Sequence, residues 1–193
     1  MAKVFVFLAD GFEDVEALIP IDVLRRGGVD VTTVSVVEGS SIVTSAHGVQ
    51  VVADRTYRED IHDDDFVGAD LLLLPGGMPG AKNLYDHDGV GLAVLRQHKA
   101  GRMIAAICAA PAVVLGQLGV LRGKQATCYP GFEQLLSGAT YTGDLCTHDG
   151  HIITAEGPAA AFPFAYKLLA LLTNEETAQQ VAEGMRYVHL MQR

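Results

Sequence analysis

The chain of 193 residues is long enough for one domain with its own hydrophobic core, and short for two. Apolar residues make up 49% and charged residues 19%, a balance typical of an α/β protein whose central strands are buried on both faces. The net charge of −9, with no cluster of Lys and Arg, excludes the basic surface that a nucleic-acid-binding protein needs.

Apolar runs of strand length alternate with amphipathic segments of helical length. The predicted strands are at 4–8, 31–37, 71–74 and 103–107, with a short one near Thr127 and hairpins at 43–53 and around Asp149. The predicted helices are at 13–26, 88–100 and 111–118, followed by two more, the last with Asn174 as its N-cap. Pro20 is expected to kink or split the first helix, and the polar tract at 55–65 is expected to be a solvated connection. The alternation predicts one domain over 1–193, with a largely parallel sheet and helices on both faces.

Three widely spaced cysteines predict neither a disulfide framework nor a zinc site. We interpret Cys128 and Cys146 as inert, small apolar residues. The chain enters a strand pattern without a basic leader, and its longest apolar stretch, 159–172, carries Lys167 and is too short to span a bilayer. We therefore expect a cytoplasmic protein with no membrane contact. The scattered histidines, including His148 and His151 beside a turn, predict no metal site.

Cys108 is the residue that the pattern singles out. It ends the buried strand of IAAICAAP, residues 104–111, and a helix with Pro111 in its first turn follows at once. Such an elbow exposes a nucleophile to backbone N–H groups and to the positive end of a helix dipole. Both favour the thiolate, so we expect the pKa of Cys108 to lie below the free value of about 8.5.

Two further segments follow predicted strands and meet the elbow at the same edge of the sheet. In LPGGMPG, residues 74–80, Gly76 and Gly77 allow close backbone approach and offer N–H groups to an oxyanion. In GFEDVEALIP, residues 11–20, Glu13 and Glu16 share one helical face. A carboxyl group beside a thiolate helps only when protonated, so a functional Glu16 is predicted to have a raised pKa.

With the later DGHIITAEGP, these motifs resemble the ThiJ/PfpI superfamily, in particular the branch of the parkinsonism-associated protein deglycase and bacterial ThiJ-like proteins. The resemblance covers essentially the whole chain. It implies a flavodoxin-like three-layer sandwich with a mostly parallel central sheet, usually dimeric. It also implies Cys108 as the nucleophile, Glu16 as the protonated glutamate that hydrogen-bonds it, Gly77 as the oxyanion-hole glycine and the amide of Ala109 as the second donor.

The chain also departs from the family pattern. Where the human deglycase has a histidine before a proline, Tyr129 precedes Pro130, and a neutral tyrosine is a poor general base at pH 7, which argues against a Cys–His dyad. Where that protein has an arginine in the small hairpin, this chain has His47. Arg26 matches another basic residue of the family's pocket. We take Gly76, Tyr129, Arg26 and His47 as candidate substrate-binding residues.

The leading interpretation is a cofactor-free glyoxalase or deglycase-like hydrolase acting on methylglyoxal or glycated adducts, including glycated proteins. The alternative is a redox-sensing, chaperone-like stress protein in which Cys108 is oxidised. Ala109 and Tyr129 argue against a cysteine peptidase or amidase, and no site is evident for thiamine (thiazole monophosphate) biosynthesis. The resemblance also predicts a homodimer formed through the first helix, whose apolar surface would come from Ala17, Leu18 and Ile21.

Overall fold

The computed structural model describes residues 1–57 and 65–191. The expected solvated connection at 55–65 therefore falls largely outside the described residues. Among the described residues, none of the helices has the length and apolar character that crossing a bilayer requires.

Seven strands form the central sheet in the order β10-β11-β7-β6-β1-β2-β5, and all neighbours are parallel except β10 and β11. They are β1 Lys3–Leu8, β2 Asp30–Ser35, β5 Arg55–Thr56, β6 Leu71–Leu74, β7 Met103–Ile107, β10 Cys146–Asp149 and β11 Ile152–Ala155. All four residues of β6 are buried, as expected for a strand covered on both faces. Among the described residues there are also two small sheets, one of β3 Ile42–Thr44 with β4 Gln50–Val52, and one of β8 Gln125–Ala126 with β9 Thr140–Tyr141.

Helices flank the sheet on both sides. They are α1 Asp14–Arg26, α2 Gly80–Asp86, α3 Asp88–Lys99, α4 Ala161–Leu172, α5 Glu175–Gly184 and α6 Tyr187–Met191. The connection from β1 to β2 and the connection from β6 to β7 run in opposite directions across the sheet. Because such crossovers are right-handed, α1 and the α2–α3 pair lie on opposite faces. α1 packs against α4, which places α4 on the α1 side.

The predicted elements are largely confirmed, with several differences. Arg55 and Thr56, expected in a solvated connection, form the edge strand β5, and α6 follows the two predicted final helices. Pro20 does not split the first helix, which runs unbroken through it. The predicted helix at 111–118 is a short π-helix, Pro111–Gly116. α2, which the pattern missed, lies between the LPGG loop and α3. Asn174 caps α5 as expected, since its side chain accepts the N–H of Thr177.

The dimerisation surface predicted on α1 is partly wrong. Ala17 and Ile21 are buried in the core of the chain itself, because α1 contacts both the sheet and α4. Of the three predicted residues only Leu18 is exposed, at 38%, and Val15 on the same helix is exposed to the same extent.

The direction of the crossovers changes between β1 and β6, and this creates a crevice beyond the carboxyl ends of the central strands. The segments after β1, β6 and β7 all start at that edge. These are the three segments that carry Glu16, the two loop glycines and Cys108, so the topology alone brings the predicted site together.

Candidate functional site

Cys108 occupies a strained elbow at the end of β7. Its φ of 65° lies in the left-handed region, where a residue with a side chain is uncommon. Two backbone hydrogen bonds hold this conformation: the Cys108 N–H donates to the Ala155 carbonyl at 2.9 Å, and its own carbonyl accepts the N–H of Tyr129 at 2.8 Å. The elbow predicted from sequence is confirmed, and the residue Cys108 is 8% exposed.

Glu16 is fully buried beside Cys108, although it lies in the first turn of α1. Glu13, the N-cap, accepts the N–H of Glu16 at 2.9 Å and so fixes the start of the helix. The Glu16 Oε2 accepts the N–H of Gly76 at 3.0 Å, whereas its Oε1 is buried without a hydrogen bond to any described nitrogen or oxygen. The carboxyl group therefore carries a proton most favourably on Oε1.

Burial raises the pKa of Glu16 to about 7, and this outweighs the lowering effect of its hydrogen bond with Cys108. The raised pKa predicted for this residue is confirmed. Burial, followed by the charge of Glu16 and the hydrogen bond with it, raises the pKa of Cys108 to about 12. The expectation of a lowered thiol pKa is therefore wrong, because these effects outweigh the N–H groups of Gly77 and Ala109, which lower it. The pair gives up one proton near neutral pH and holds the second.

The two loop glycines have different roles. The N–H groups of Gly77 and Ala109 lie close enough to the Cys108 thiol to lower its pKa, and their role as a pair of oxyanion donors stays a prediction. Gly76 was predicted to bind substrate with its N–H, but the Glu16 carboxyl group already accepts it. A Cβ on Gly76 would lie 2.6 Å from both the Cys108 Cβ and the Glu16 Oε2, so only glycine lets the thiol and the carboxyl group meet here.

The family model described as DJ-1/PfpI matches residues 2–171 of this chain. The chain belongs to the DJ-1/PfpI family. Among relatives, Protein DJ-1 homolog B of Arabidopsis thaliana is 44% identical over 93% of this chain but only 40% of its own length, so the chain spans less than half of that plant relative. The glutathione-independent glyoxalase DJR-1.2 of Caenorhabditis elegans is 33% identical over 90% of this chain and 89% of that protein.

Solved DJ-1 structures share the fold. The structure of Toxoplasma gondii DJ-1, described as oxidized, has a TM-score of 0.89 and 36% identity, and the match covers 96% of this chain and 98% of that chain. These comparisons confirm the family resemblance noted in the sequence, and they confirm the flavodoxin-like fold.

Tyr129, at the DJ-1/PfpI position where the sequence comparison expected a histidine, lies beside the site. Its N–H anchors the elbow, and its side chain is 46% exposed. The ring packs over Gly157, where an added Cβ would lie 3.1 Å from the Tyr129 Cδ2. Tyr129 therefore packs beside the elbow, and its predicted contact with substrate stays a prediction.

His47 and Arg26 do not reach Cys108 within one chain. His47, in the turn between β3 and β4, pairs through Nδ1 with the Asp14 carboxylate at the start of α1, and this hydrogen bond raises the pKa of His47. It thus lies at the rim of the crevice. Arg26 is at the opposite end of α1, about 15 Å along the helix from Glu16 at 1.5 Å per residue, and pairs with Asp22. The structure does not bring Arg26 to the site.

Glu13, Asp14 and His47 form the one cluster of metal-ligand type among the described residues, with ligand atoms within 4.8 Å of one another. The Asp14 carboxylate already accepts a hydrogen bond from the Ser45 hydroxyl and pairs with the His47 ring. The Glu13 carboxylate caps α1. Helix capping and hairpin anchoring account for this cluster.

The sequence interpretation included the DGHIITAEGP segment in the family pattern but missed that β11 helps to shape the elbow. Its last residue, Ala155, fixes the elbow through its carbonyl, and Glu156 and Gly157 follow directly. The signal was present in the AEGP sequence after a predicted hairpin strand, because a strand that pairs in parallel with β7 ends at the same edge.

Proposed function

We propose that this DJ-1/PfpI protein is a cofactor-free hydrolase of small reactive carbonyls, with methylglyoxal as its simplest substrate and lactate as the product. One observation carries the proposal: the Cys108 thiol meets a buried carboxyl group whose pKa is raised to about 7, and the N–H groups of Gly77 and Ala109 act on the same thiol to lower its pKa. The name of the Caenorhabditis elegans relative, a glutathione-independent glyoxalase, supports the same chemistry.

The number of protons that Cys108 and Glu16 hold together suits the addition of a thiolate to a carbonyl group. Near neutral pH the site holds one proton, which rests on the thiol or on Glu16. The reactive form has the thiolate, stabilised by the N–H groups of Gly77 and Ala109, and a protonated Glu16. The sulfur attacks the aldehyde carbon, a C–S bond forms, and the electron pair moves onto the carbonyl oxygen. The same N–H groups stabilise this oxyanion, and Glu16 gives it a proton.

Glu16, now a carboxylate, removes the proton on the former aldehyde carbon and returns it to the adjacent carbon, while the hydroxyl proton moves to the oxygen of that adjacent carbon. This converts the hemithioacetal into a thioester of lactate on Cys108. Water then adds to the thioester, the C–S bond breaks, and lactate leaves while Cys108 regains its proton. The sum is methylglyoxal plus water giving lactate, so no external oxidant or reductant is required.

Lactate formation in glutathione-free buffer tests the proposal. The wild-type chain should convert methylglyoxal, Cys108→Ala should form none, and Cys128→Ala, which removes a buried thiol elsewhere, should retain the rate. Equal rates for wild type and Cys108→Ala, or no lactate from wild type, would overturn it.

Redox sensing is the second candidate function. The solved Toxoplasma gondii relative is described as oxidized, and the donors that stabilise an oxyanion also suit a sulfinate on Cys108. Mild peroxide should then add two oxygen atoms to Cys108 before Cys128 or Cys146. Selective oxidation in a chain that makes no lactate would favour this function over the hydrolase.

A further inference from the structure

A cavity of about 210 Å³ lies beside the elbow, between the segment after β8 and the turn after β11. It is lined by Tyr129, Pro130, Leu145, Glu156 and residues 157–160. This volume is below the roughly 300–1,000 Å³ of sites for drug-sized ligands, so the cavity suits a small group.

Two walls of this cavity are tied to the backbone of Cys108. The Tyr129 N–H donates to the Cys108 carbonyl at 2.8 Å, and the Cys108 N–H donates to the carbonyl of Ala155, the residue before Glu156, at 2.9 Å. The cavity is therefore positioned by the same hydrogen bonds that shape the elbow.

The charge of the cavity comes from one side chain. Its lining is mostly apolar, from Leu145, two prolines and alanines, and Glu156 is the one carboxylate among the lining residues. The Glu156 N–H donates to the Leu145 carbonyl at 3.0 Å, which ties together two of the lining segments. None of the ion pairs in the described part of the chain neutralises the Glu156 side chain.

We propose that this cavity is a subsite for the part of the substrate beyond the carbonyl carbon, and that Glu156 makes it prefer cationic over anionic compounds. The substrate class is then a carbonyl compound carrying an ammonium or guanidinium group, with carboxylate-bearing keto compounds disfavoured. The inference rests on the proposed role of Cys108 as the nucleophile toward carbonyls.

Charged thiol reagents of matched size test the preference without requiring turnover. The 2-(trimethylammonio)ethyl and 2-sulfonatoethyl methanethiosulfonates each form a disulfide with a thiolate and release methanesulfinate. In a chain with Cys128→Ala and Cys146→Ala, the labelling rate reports on Cys108. Opposite charges at about 8 Å from one carboxylate, in a medium between protein and water, should differ in rate by about tenfold.

The cationic reagent should label faster in wild type, Glu156→Gln should lower the cation-to-anion rate ratio by at least about threefold, and Glu156→Lys should lower it further. Asp144→Asn is the matched control, since Asp144 is an exposed carboxylate next to Leu145 but does not line the cavity. An unchanged ratio in both Glu156 variants, or an equal fall in Asp144→Asn, would overturn the assignment.

Turnover separates the inference from the proposed function. Wild type should convert 4-(trimethylammonio)phenylglyoxal about tenfold faster than 4-carboxyphenylglyoxal, and Glu156→Gln should narrow that gap. If no carbonyl is converted while the labelling ratio still depends on Glu156, the hydrolase fails and the charge-selective subsite stands. If methylglyoxal is converted but neither ratio depends on Glu156, the subsite fails and the hydrolase stands.

Discussion

The carboxyl group of Glu16 is buried directly against the thiol of Cys108. Glu16 lies in the helix that follows β1, whereas Cys108 comes directly after β7, far along the chain. The Gly76 N–H fixes the carboxyl group through Oε2 and leaves Oε1 for the proton that the pair shares. Glu16 therefore decides when the thiolate exists, because an ionised Glu16 raises the pKa of Cys108 and a protonated one stabilises its thiolate.

The alkylation rate of Cys108 should follow the proton count of the pair. With pKa values of about 7 for Glu16 and about 12 for Cys108, one proton leaves near pH 7 and the next only in strong alkali. We expect the iodoacetamide rate, measured by peptide mass spectrometry, to rise around pH 7 and then stay level to about pH 10, whereas a free thiol rises around its pKa of about 8.5. The buried Cys128 should react far more slowly. An alkylation rate of Cys108 that rises continuously between pH 8 and pH 10 would contradict a proton shared by Cys108 and Glu16.

Glu16→Gln should change both turnover and the pH dependence of stability. Gln still donates a hydrogen bond to the thiolate but cannot transfer a proton, so labelling of Cys108 should persist while lactate formation falls by about 10²–10⁴-fold. In the wild-type chain the folded state keeps a proton on Glu16 that the unfolded state loses above pH 4.5. This stabilisation is complete below about pH 4.5 and is lost as the pH rises through about 7, a change of roughly 3 kcal/mol.

Urea unfolding at pH 5 and pH 8 measures this change. The free energy of unfolding of wild type should fall between the two pH values relative to that of Glu16→Gln. Glu183→Gln, on the exposed face of α5, is the control, and its free energy of unfolding should change between the two pH values as that of wild type does. Parallel pH profiles for wild type and Glu16→Gln would show that the buried carboxyl group carries no such proton.

Gly76→Ala should disrupt the site by steric overlap. The added Cβ would lie 2.6 Å from the Cys108 Cβ and 2.7 Å from the Ile107 carbonyl oxygen, so the elbow or α1 must shift. We expect a loss of about 1–3 kcal/mol in the free energy of unfolding, together with loss of turnover. Gly184→Ala, at a helical position with nothing within 4 Å, is the control and should not destabilise the chain. Wild-type turnover in Gly76→Ala would contradict the close contact.

Leu18→Glu tests the dimer predicted from the family resemblance. Leu18 and Val15 are the exposed apolar residues of α1, so a charge at Leu18 should weaken association through this helix. Light scattering should give twice the 20.5 kDa chain mass for wild type and a monomer fraction for the variant at micromolar concentration. Leu92→Glu, at a similarly exposed leucine on α3, should remain dimeric. A wild-type monomer would refute the prediction.

Tyr129→His should raise carbonyl turnover. A neutral phenol is a poor proton acceptor, whereas a neutral imidazole accepts a proton readily, and residue 129 flanks Cys108. We expect a several-fold increase in kcat for methylglyoxal, measured as lactate, with no increase for Tyr141→His, the comparably exposed control. A variant with unchanged kcat would show that the wall residue takes no part in proton transfer.

Local patterns in the sequence determined the central strands, the Cys108 elbow and the α5 cap, because side-chain periodicity and capping chemistry act over a few neighbouring residues. The raised pKa of Glu16 was predicted only once the family resemblance had placed this residue beside Cys108, because the residues alone also allowed an ordinary solvated helix position; the burial that raises the pKa comes from the tertiary structure.

Only the tertiary structure decided which groups the site residues meet. Packing sends the Gly76 N–H to Glu16, keeps Arg26 at the far end of α1, and buries Ala17 and Ile21 between the sheet and α4. It also reversed the expected direction of the Cys108 pKa, because the depth of burial and the distance to Glu16 depend on how distant segments pack. Desolvation and charge act through space, and spacing along the chain does not encode those distances.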